Sequence, residues 1–212
     1  MISQVKNMVK NTPWMLRTVK GVKKLAGCEE ELWGRVVMLR EKRRLVAGLG
    51  PERLRALEIS GRHYENSGFL SYANVFYPDF DICTDTLDTG EAGFDLVISQ
   101  QVFEHLKEPE RAAANVLAML APGGHFLIST PFFVRIHPDP LDFIRWSEDG
   151  LRRFLVQCGF EAEGLLTGSW GNRACIRANM RRRWVRYNRY FHSLKNEPEF
   201  PVHVWALARK AG

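Results

Sequence analysis

Apolar and polar positions are most legible between Phe94 and Phe133, in the stretch FDLVISQQVFEHLKEPERAAANVLAMLAPGGHFLISTPFF. The run from Phe94 to Ser99 holds no Gly or Pro and predicts one buried strand. Pro109 suits the first turn of a helix, where its missing N–H costs nothing. Ala113, Val116, Leu117 and Leu120 then recur at i, i+3, i+4 and i+7, a single apolar stripe. Pro122-Gly123-Gly124 stops that helix, and a second strand is expected over His125 to Thr130. A right-handed crossover makes the two strands parallel neighbours.

The same reading extends outward from this unit. Trp14, Leu16, Val19 and Val22, set among lysines, predict a weakly amphipathic N-terminal segment. Glu29 to Ala47 predicts a helix with Leu32, Val36, Leu39 and Val46 on one side, closed by Gly48 and Gly50-Pro51. Arg55 to Ile59 reads as the first core strand, broken by Ser60-Gly61. Residues 61–93 carry little helical periodicity. Val75 to Tyr77 and Phe80 to Cys83 are expected as short strands, with room for one short helix, so the sheet is trimmed on this side. Pro138 and Pro140 keep His137, Asp142 and Arg145 in a loop. Ser147 caps a helix whose stripe is Leu151, Phe154, Leu155 and Cys158, stopped by Gly159. Glu161 to Leu166 and Val202 to Ala208 read as strands, with an arginine-rich helical segment between them. The alternation predicts an α/β fold: a doubly wound, mostly parallel Rossmann-like sheet flanked by helices. Residues 1–50 would form a basic helical N-terminal extension. Residues 51–212 would form the main domain, with an Arg-rich insert near 171–200.

Composition narrows the class. A chain of 212 residues, 45% hydrophobic and 25% charged, has an ordinary globular balance and can bury a sizeable core. No run approaches the roughly 18 apolar residues of a membrane span, and the N-terminus lacks an apolar h-region, so a cytoplasmic protein is expected. Cys28, Cys83, Cys158 and Cys175 show no CxxC spacing, which predicts free thiols and no metal site. The net charge of +6 is uneven. Residues 1–28 hold Lys6, Lys10, Arg17, Lys20, Lys23 and Lys24 without one acid. A second block holds Arg177, Arg181, Arg182, Arg183, Arg186 and Arg189. Such blocks meet nucleic acid, anionic lipid or a phosphorylated substrate, or are solvated faces. No zinc-finger, RRM or KH signature points to a specific nucleic acid. Residues 1–28 suit a helix docked on the domain, with peripheral membrane contact as the other reading.

Ligands of doubly wound sheets sit beyond the carboxyl ends of the strands. Three such ends converge here: Glu58-Ile59-Ser60-Gly61, Ser99 to His105, and Ser129-Thr130-Pro131. LEISG, FDLVISQQVFEHL, MLAPGGHFLISTP and the late CGF resemble the class I S-adenosylmethionine-dependent methyltransferases, of the type 11-like kind. The resemblance covers roughly Arg55 to Phe160, and VHVWALARK is similar to that family's closing strand. HPDPLDFIRWSEDGL is similar to a segment of a subset of these enzymes. The resemblance implies S-adenosylmethionine as cofactor. Glu58 would support the cofactor loop through backbone N–H groups, and Ser60 and Gly61 would form that loop. Asp85 would take the adenine amino group. Ser99, Gln100 and Gln101 would line the floor beside the methionine moiety. The acid for the ribose falls near Phe76, with Asp79 as its substitute. Ser60, Arg62 and Tyr64 stand where the family's loop has glycine.

Methyl transfer needs an aligned nucleophile and often a base. His105 and His137 are the candidate catalytic residues, because neutral imidazole works near pH 7. Backbone bonding at the start of a helix, for His105, and loop bracing, for His137, are the bland alternatives. Glu104, Asp142, Arg145 and Trp146 are the candidate acceptor contacts, and Glu104 would equally serve as a cap. Phe103, Phe132 and Trp146 offer π-faces to a sulfonium. The expected activity is methyl transfer to a small polar molecule, at oxygen rather than nitrogen, a saccharide or other metabolite. The insert from Arg177 to Arg189 would favour an anionic acceptor. The rival is a scaffold of this fold that has lost catalysis and serves binding or assembly.

Overall fold

The computed structural model describes residues 26–90 and 92–212. Its main sheet has six strands in the order β3-β2-β4-β5-β8-β6. These are β2 (Arg55–Ile59), β3 (Ser71–Val75), β4 (Phe94–Gln100), β5 (Leu120–Pro131), β6 (Leu166–Trp170) and β8 (His203–Arg209). β3, β2, β4 and β5 run parallel, while β8 lies antiparallel between β5 and β6. The expected α/β architecture is therefore present, mostly parallel and flanked by helices. A separate two-stranded ribbon pairs β1 (Cys28–Leu32) with β7 (Arg186–Asn188).

Among the described residues four helices flank the sheet: α1 (Val36–Gly48), α2 (Pro109–Met119), α3 (Glu148–Gln157) and α4 (Arg173–Arg181). On one face, Val46 of α1 and Tyr64 pack on Ala56, Leu96, Ile98, Leu127 and Leu207. On the other, α2 and α3 cover Leu57, Ile59, Val97, Phe126, Ile128 and Val204. Each such large side chain taken fully out of water contributes roughly 1.5–3 kcal/mol. The stripe of α3 is the predicted one, and Ser147 caps it by accepting from the Gly150 N–H at 3.2 Å. No helix among the described residues is long and apolar enough to cross a membrane.

The departures from expectation have physical causes. Residues 28–32 are a strand, and the helix begins only at Val36. Pairing with β7, 154 residues away in sequence at Leu32↔Arg186, overrides the helical spacing. Trp33, 3% exposed, locks the junction by stacking on His192 and donating to the Ser193 carbonyl. β3 lies at 71–75, earlier than the expected 75–77. Residues 80–83 are a turn, because Asp81 accepts from the Cys83 N–H and Asp85 accepts from the Asp81 N–H. The described residues of 61–93 contain no helix, so the sheet ends at β3. β5 starts at Leu120, which pairs with Phe94 before a bulge at Pro122–Gly124 lets pairing resume at Leu96↔His125. Gly124 is required there, since a β-carbon would lie 2.9 Å from the Phe94 carbonyl oxygen. β6 falls at 166–170, beyond a turn at Gly164, and not at 161–166. The arginine-rich segment is half helix, in α4, and half strand, in β7. All four cysteines are free. The amphipathic stretch from Trp14 to Val22 and the lysines of the first basic block lie outside the described residues.

Candidate active site

The site forms where β2, β4 and β5 end side by side, with Ile59 beside Ser99 and Gln100 beside Ser129. Glu58, fully buried, organises the turn after β2. Its carboxylate accepts from the backbone N–H groups of His63 (3.0 Å) and Tyr64 (3.1 Å) and from the Tyr72 hydroxyl (2.7 Å), and lies 2.8 Å from His63 Nδ1. Burial raises its pKa, but the hydrogen bonds from His63, Tyr72 and Tyr64 outweigh this and hold it below the usual range. Gly61 lies over this carboxylate: a β-carbon would stand 2.3 Å from Glu58 Oε1. Ser60 is held in the left-handed region, φ 54°. Gln101, after β4, has φ 58° and donates its N–H to the Ser129 carbonyl at 2.8 Å. Left-handed non-glycine residues at two neighbouring strand ends are the kind of strain that collects at binding sites.

Behind these strand ends lies a residue that sequence reasoning passed over. Lys42 of α1 is fully buried, and its ammonium donates to Gln100 Oε1 at 3.1 Å and Ser129 Oγ at 3.0 Å. Burial pulls its pKa down to about 7; Glu58 opposes the shift and Arg35 adds to it. Its signal was spacing: Met38, Lys42 and Val46 fall at i, i+4 and i+8, and all are buried. On the opposite sheet face, Ser99 Oγ is buried and has no hydrogen-bond partner among the described residues. Asp79 is exposed in a turn. Asp85 is spent locally, accepting from the Asp81 N–H and the Thr84 hydroxyl. Phe76, next after β3, is exposed, with the Arg62 guanidinium 5.4 Å above its ring.

The second half of the site is built on the turn Phe103–His105 and the loop that follows β5. Glu104 is fully buried, and neither of its oxygens has a hydrogen-bond partner among the described residues. His105 Nε2 and His137 Nε2 each lie 3.7 Å from Glu104 Oε1. His105 Nδ1 bonds to the Leu141 carbonyl, and the Phe143 N–H donates to the Glu104 carbonyl at 2.8 Å, so the loop is strapped to the turn. Asp142 braces His137: it accepts from the His137 N–H at 2.9 Å and lies 3.3 Å from Nδ1. Arg145 grips Asp142 with two N–H groups and, as the main cause, lowers that carboxyl's pKa to about 2. The Glu104 carboxylate raises the pKa of His137 against the effect of burial. The structure thus gathers Glu104, His105, His137, Asp142 and Arg145 into one cluster. It leaves Phe103 and Trp146 in the core against Phe154, and Phe132 edge-on to Phe133.

A pocket beside His137 is lined by Val134, Arg135, Asn179, Arg183 and Trp184, so the arginine-rich insert reaches this cluster. Trp184 meets the His137 ring edge-on at 5.4 Å, in a left-handed conformation of φ 57°. Arg35, half-buried just before α1, lies over the same tryptophan ring at 5.6 Å. His203 on β8 is buried, with Nδ1 lacking a partner among the described residues, and burial pushes its pKa well down. Neither residue carried a sequence signal, because each reaches the cluster only through tertiary packing.

Comparison with known proteins bears on the family and the fold. Residues 31–190 match the family model described as a methyltransferase domain. A Mycolicibacterium smegmatis protein named as an S-adenosylmethionine-dependent methyltransferase is 28% identical over 120 residues, 52% of this chain and 46% of that protein. The match therefore spans about half the length of that curated relative. A SAM-dependent methyltransferase from Archaeoglobus fulgidus has a similar structure, with TM-score 0.55 and 14% identity over 83% of this chain and 94% of that one. The [4+2]-cyclase SpnF is also similar, with TM-score 0.51 and 16% identity over 98% of this chain and 96% of that one. At these identities the structural likeness is one of fold.

Proposed function

The chain belongs to the methyltransferase-domain family, and from that premise we propose that it transfers a methyl group from S-adenosylmethionine to an oxygen of a small, polar, anionic acceptor. The observation that carries this reading is the meeting of two half-sites at one sheet end. One is a turn held by buried Glu58, with Gly61 kept free of a β-carbon. The other is the Glu104–His105–His137 cluster. The first half suits the cofactor: the turn is fixed in advance, and the buried Ser99 Oγ lacks a partner that a bound group would supply. Bound S-adenosylmethionine supplies an electrophilic methyl on a sulfonium. Glu58, Ser60, Gly61, Gln100 and Gln101 would hold and orient it. Asp85 would meet its adenine amino group, and Asp79 its ribose.

The second half handles the acceptor. Glu104, His105 and His137 receive the hydroxyl and take its proton, with Asp142 and Arg145 fixing the His137 ring. Arg135 and Arg183, lining the adjoining pocket, select an anion. Aligning the hydroxyl with the methyl group would contribute roughly 7–11 kcal/mol to lowering the barrier. The test is calorimetric titration with S-adenosylmethionine, followed by transfer of labelled methyl to a panel of hydroxylated anions. Micromolar binding and label in an alkali-stable ether support the reading.

A specific observation favours a second reading, a binding or assembly scaffold without catalysis. Ser60, Arg62 and Tyr64 fill the loop positions where the family pattern has glycine, and the sheet stops at β3. No binding at millimolar S-adenosylmethionine would leave that reading alone.

A further inference from the structure

We propose that Glu104, His105 and His137 form a binding site for one divalent transition-metal ion. Their ligand atoms lie within 4.8 Å of one another. His105 Nδ1 faces the Leu141 carbonyl, an acceptor, so it carries the ring proton. His137 Nδ1 faces two acceptors, the Arg135 carbonyl and the Asp142 carboxylate, both at 3.3 Å, and carries its proton for the same reason. With Nδ1 so engaged, each ring in its neutral form turns the lone pair of Nε2 toward Glu104 Oε1, 3.7 Å away in both cases. Three acceptor groups converge on one point, and Glu104 is fully buried without a donor among the described residues. A buried carboxylate left so is costly. A proton on one ring would answer only one of the two contacts, and 3.7 Å is too long for its hydrogen bond. The field of Arg35 reaches Glu104, yet no hydrogen bond joins them.

A metal ion satisfies all three groups at once. Ligands at about 2.0–2.2 Å from a tetrahedral ion stand about 3.3–3.6 Å apart, close to the 3.7 Å of the two Glu104–histidine pairs, and all three ligand atoms lie within 4.8 Å. The outer partners are those of a metal-bound histidine: one ring proton on a backbone carbonyl, the other shared with a carboxylate. Asp142, itself clamped by Arg145, is thereby a positioning residue. Two imidazoles and one carboxylate suit Zn²⁺, Fe²⁺ or Co²⁺ and leave coordination positions open. The side chains of His105 and His137 are 14% and 13% exposed, so an ion can enter. The site stands on this geometry alone. Only its extension, that the ion would bind and acidify the acceptor hydroxyl, rests on the methyl-transfer reading.

The test uses the full chain, stripped with EDTA and titrated with Co²⁺ in the absence of S-adenosylmethionine. One equivalent is expected to bind with visible d–d bands and no thiolate charge-transfer band. Glu104→Gln and His137→Gln, each checked for wild-type circular dichroism, should weaken binding about 100-fold or more, and Asp142→Asn about 10–100-fold. Should these variants unfold, pulsed electron paramagnetic resonance of the Cu²⁺-loaded wild type should still show two coordinated imidazoles. Absence of one-equivalent binding at about 1 mM Co²⁺, a thiolate band, unchanged affinity in folded variants, or fewer than two imidazoles would each overturn the site. Failure to bind S-adenosylmethionine would instead overturn the transfer reading and leave the metal site standing.

Discussion

Lys42 makes stability depend on pH in a way that one substitution isolates. In the folded chain its pKa lies at about 7, against 10.5 for an unperturbed lysine. Between those values the unfolded chain binds a proton that the folded chain has released, so stability rises with pH across the interval. Integrating the two titrations from pH 7 to roughly pH 8.5 gives a gain of about 1.5 kcal/mol. Other groups push elsewhere. Burial lowers the pKa of His203, whose contribution is complete once pH exceeds the ordinary histidine range. Cys158 and Cys175 are pushed up to about 11 and about 12, so their unfolded thiols ionise first and stability falls above the ordinary thiol range. His137, with a raised pKa, loses stabilisation as pH rises through its folded value. All of these are shared by Lys42→Met, and they cancel in the difference between the two proteins. Urea unfolding at a series of pH values should therefore show the wild type gaining about 1.5 kcal/mol on Lys42→Met between pH 7 and roughly 8.5. The absolute offset will be mixed, because methionine spares the buried charge but leaves Gln100 Oε1 and Ser129 Oγ without their donor. Parallel curves would refute the argument, showing that the ammonium keeps an ordinary pKa inside the protein.

Three further substitutions test the rest of the site. Gly61→Ala should destabilise the fold by about 1–3 kcal/mol, because its β-carbon meets Glu58 Oε1 at 2.3 Å; it should also weaken S-adenosylmethionine binding by calorimetry, and an unperturbed variant would deny the Glu58-held turn its role. Ser60→Gly relieves a left-handed serine and should raise the thermal midpoint, by an amount corresponding to about 1 kcal/mol; an unchanged or lower midpoint in a melt would show that the hydroxyl earns its place through a contact. Arg183→Glu should raise KM for an anionic acceptor at low salt with kcat nearly constant, and the difference should shrink as salt is added; equal KM values would remove the insert from acceptor selection.

Local pattern sufficed where the chain makes its own structure. The unit from Phe94 to Pro131 follows from an uninterrupted apolar run, a proline-led stripe and a glycine turn, all set by neighbours in sequence. The same holds for Ser147 and α3. Residues 28–35 depart from their helical spacing because the partner of β1, β7, lies more than 150 residues away, and local spacing cannot announce it. Residues 80–85 form a turn in place of the expected strand because the aspartates that flank the apolar run bond their own backbone.

The site divides along the same line. Glu58 and Gly61, and the pair Glu104 and His105, were legible because each stands at the end of a strand, where the fold class itself points. That His105 and His137 share one carboxylate oxygen was not legible, since the whole of α2 and β5 and an irregular loop after them separate the two in sequence. The geometry changes what the histidines are for. Read singly, each was a candidate base bearing its own lone pair. Placed together, with both Nδ1 protons committed to carbonyl and carboxylate acceptors, neither lone pair is free of the other or of Glu104. The buried Glu104 carboxylate makes His137 the stronger base, whereas a metal ion bound through the Nε2 lone pairs would leave neither ring free to take a proton. Proton removal from the acceptor and metal binding are therefore one question at this site, and the Co²⁺ titration answers it before any acceptor is known.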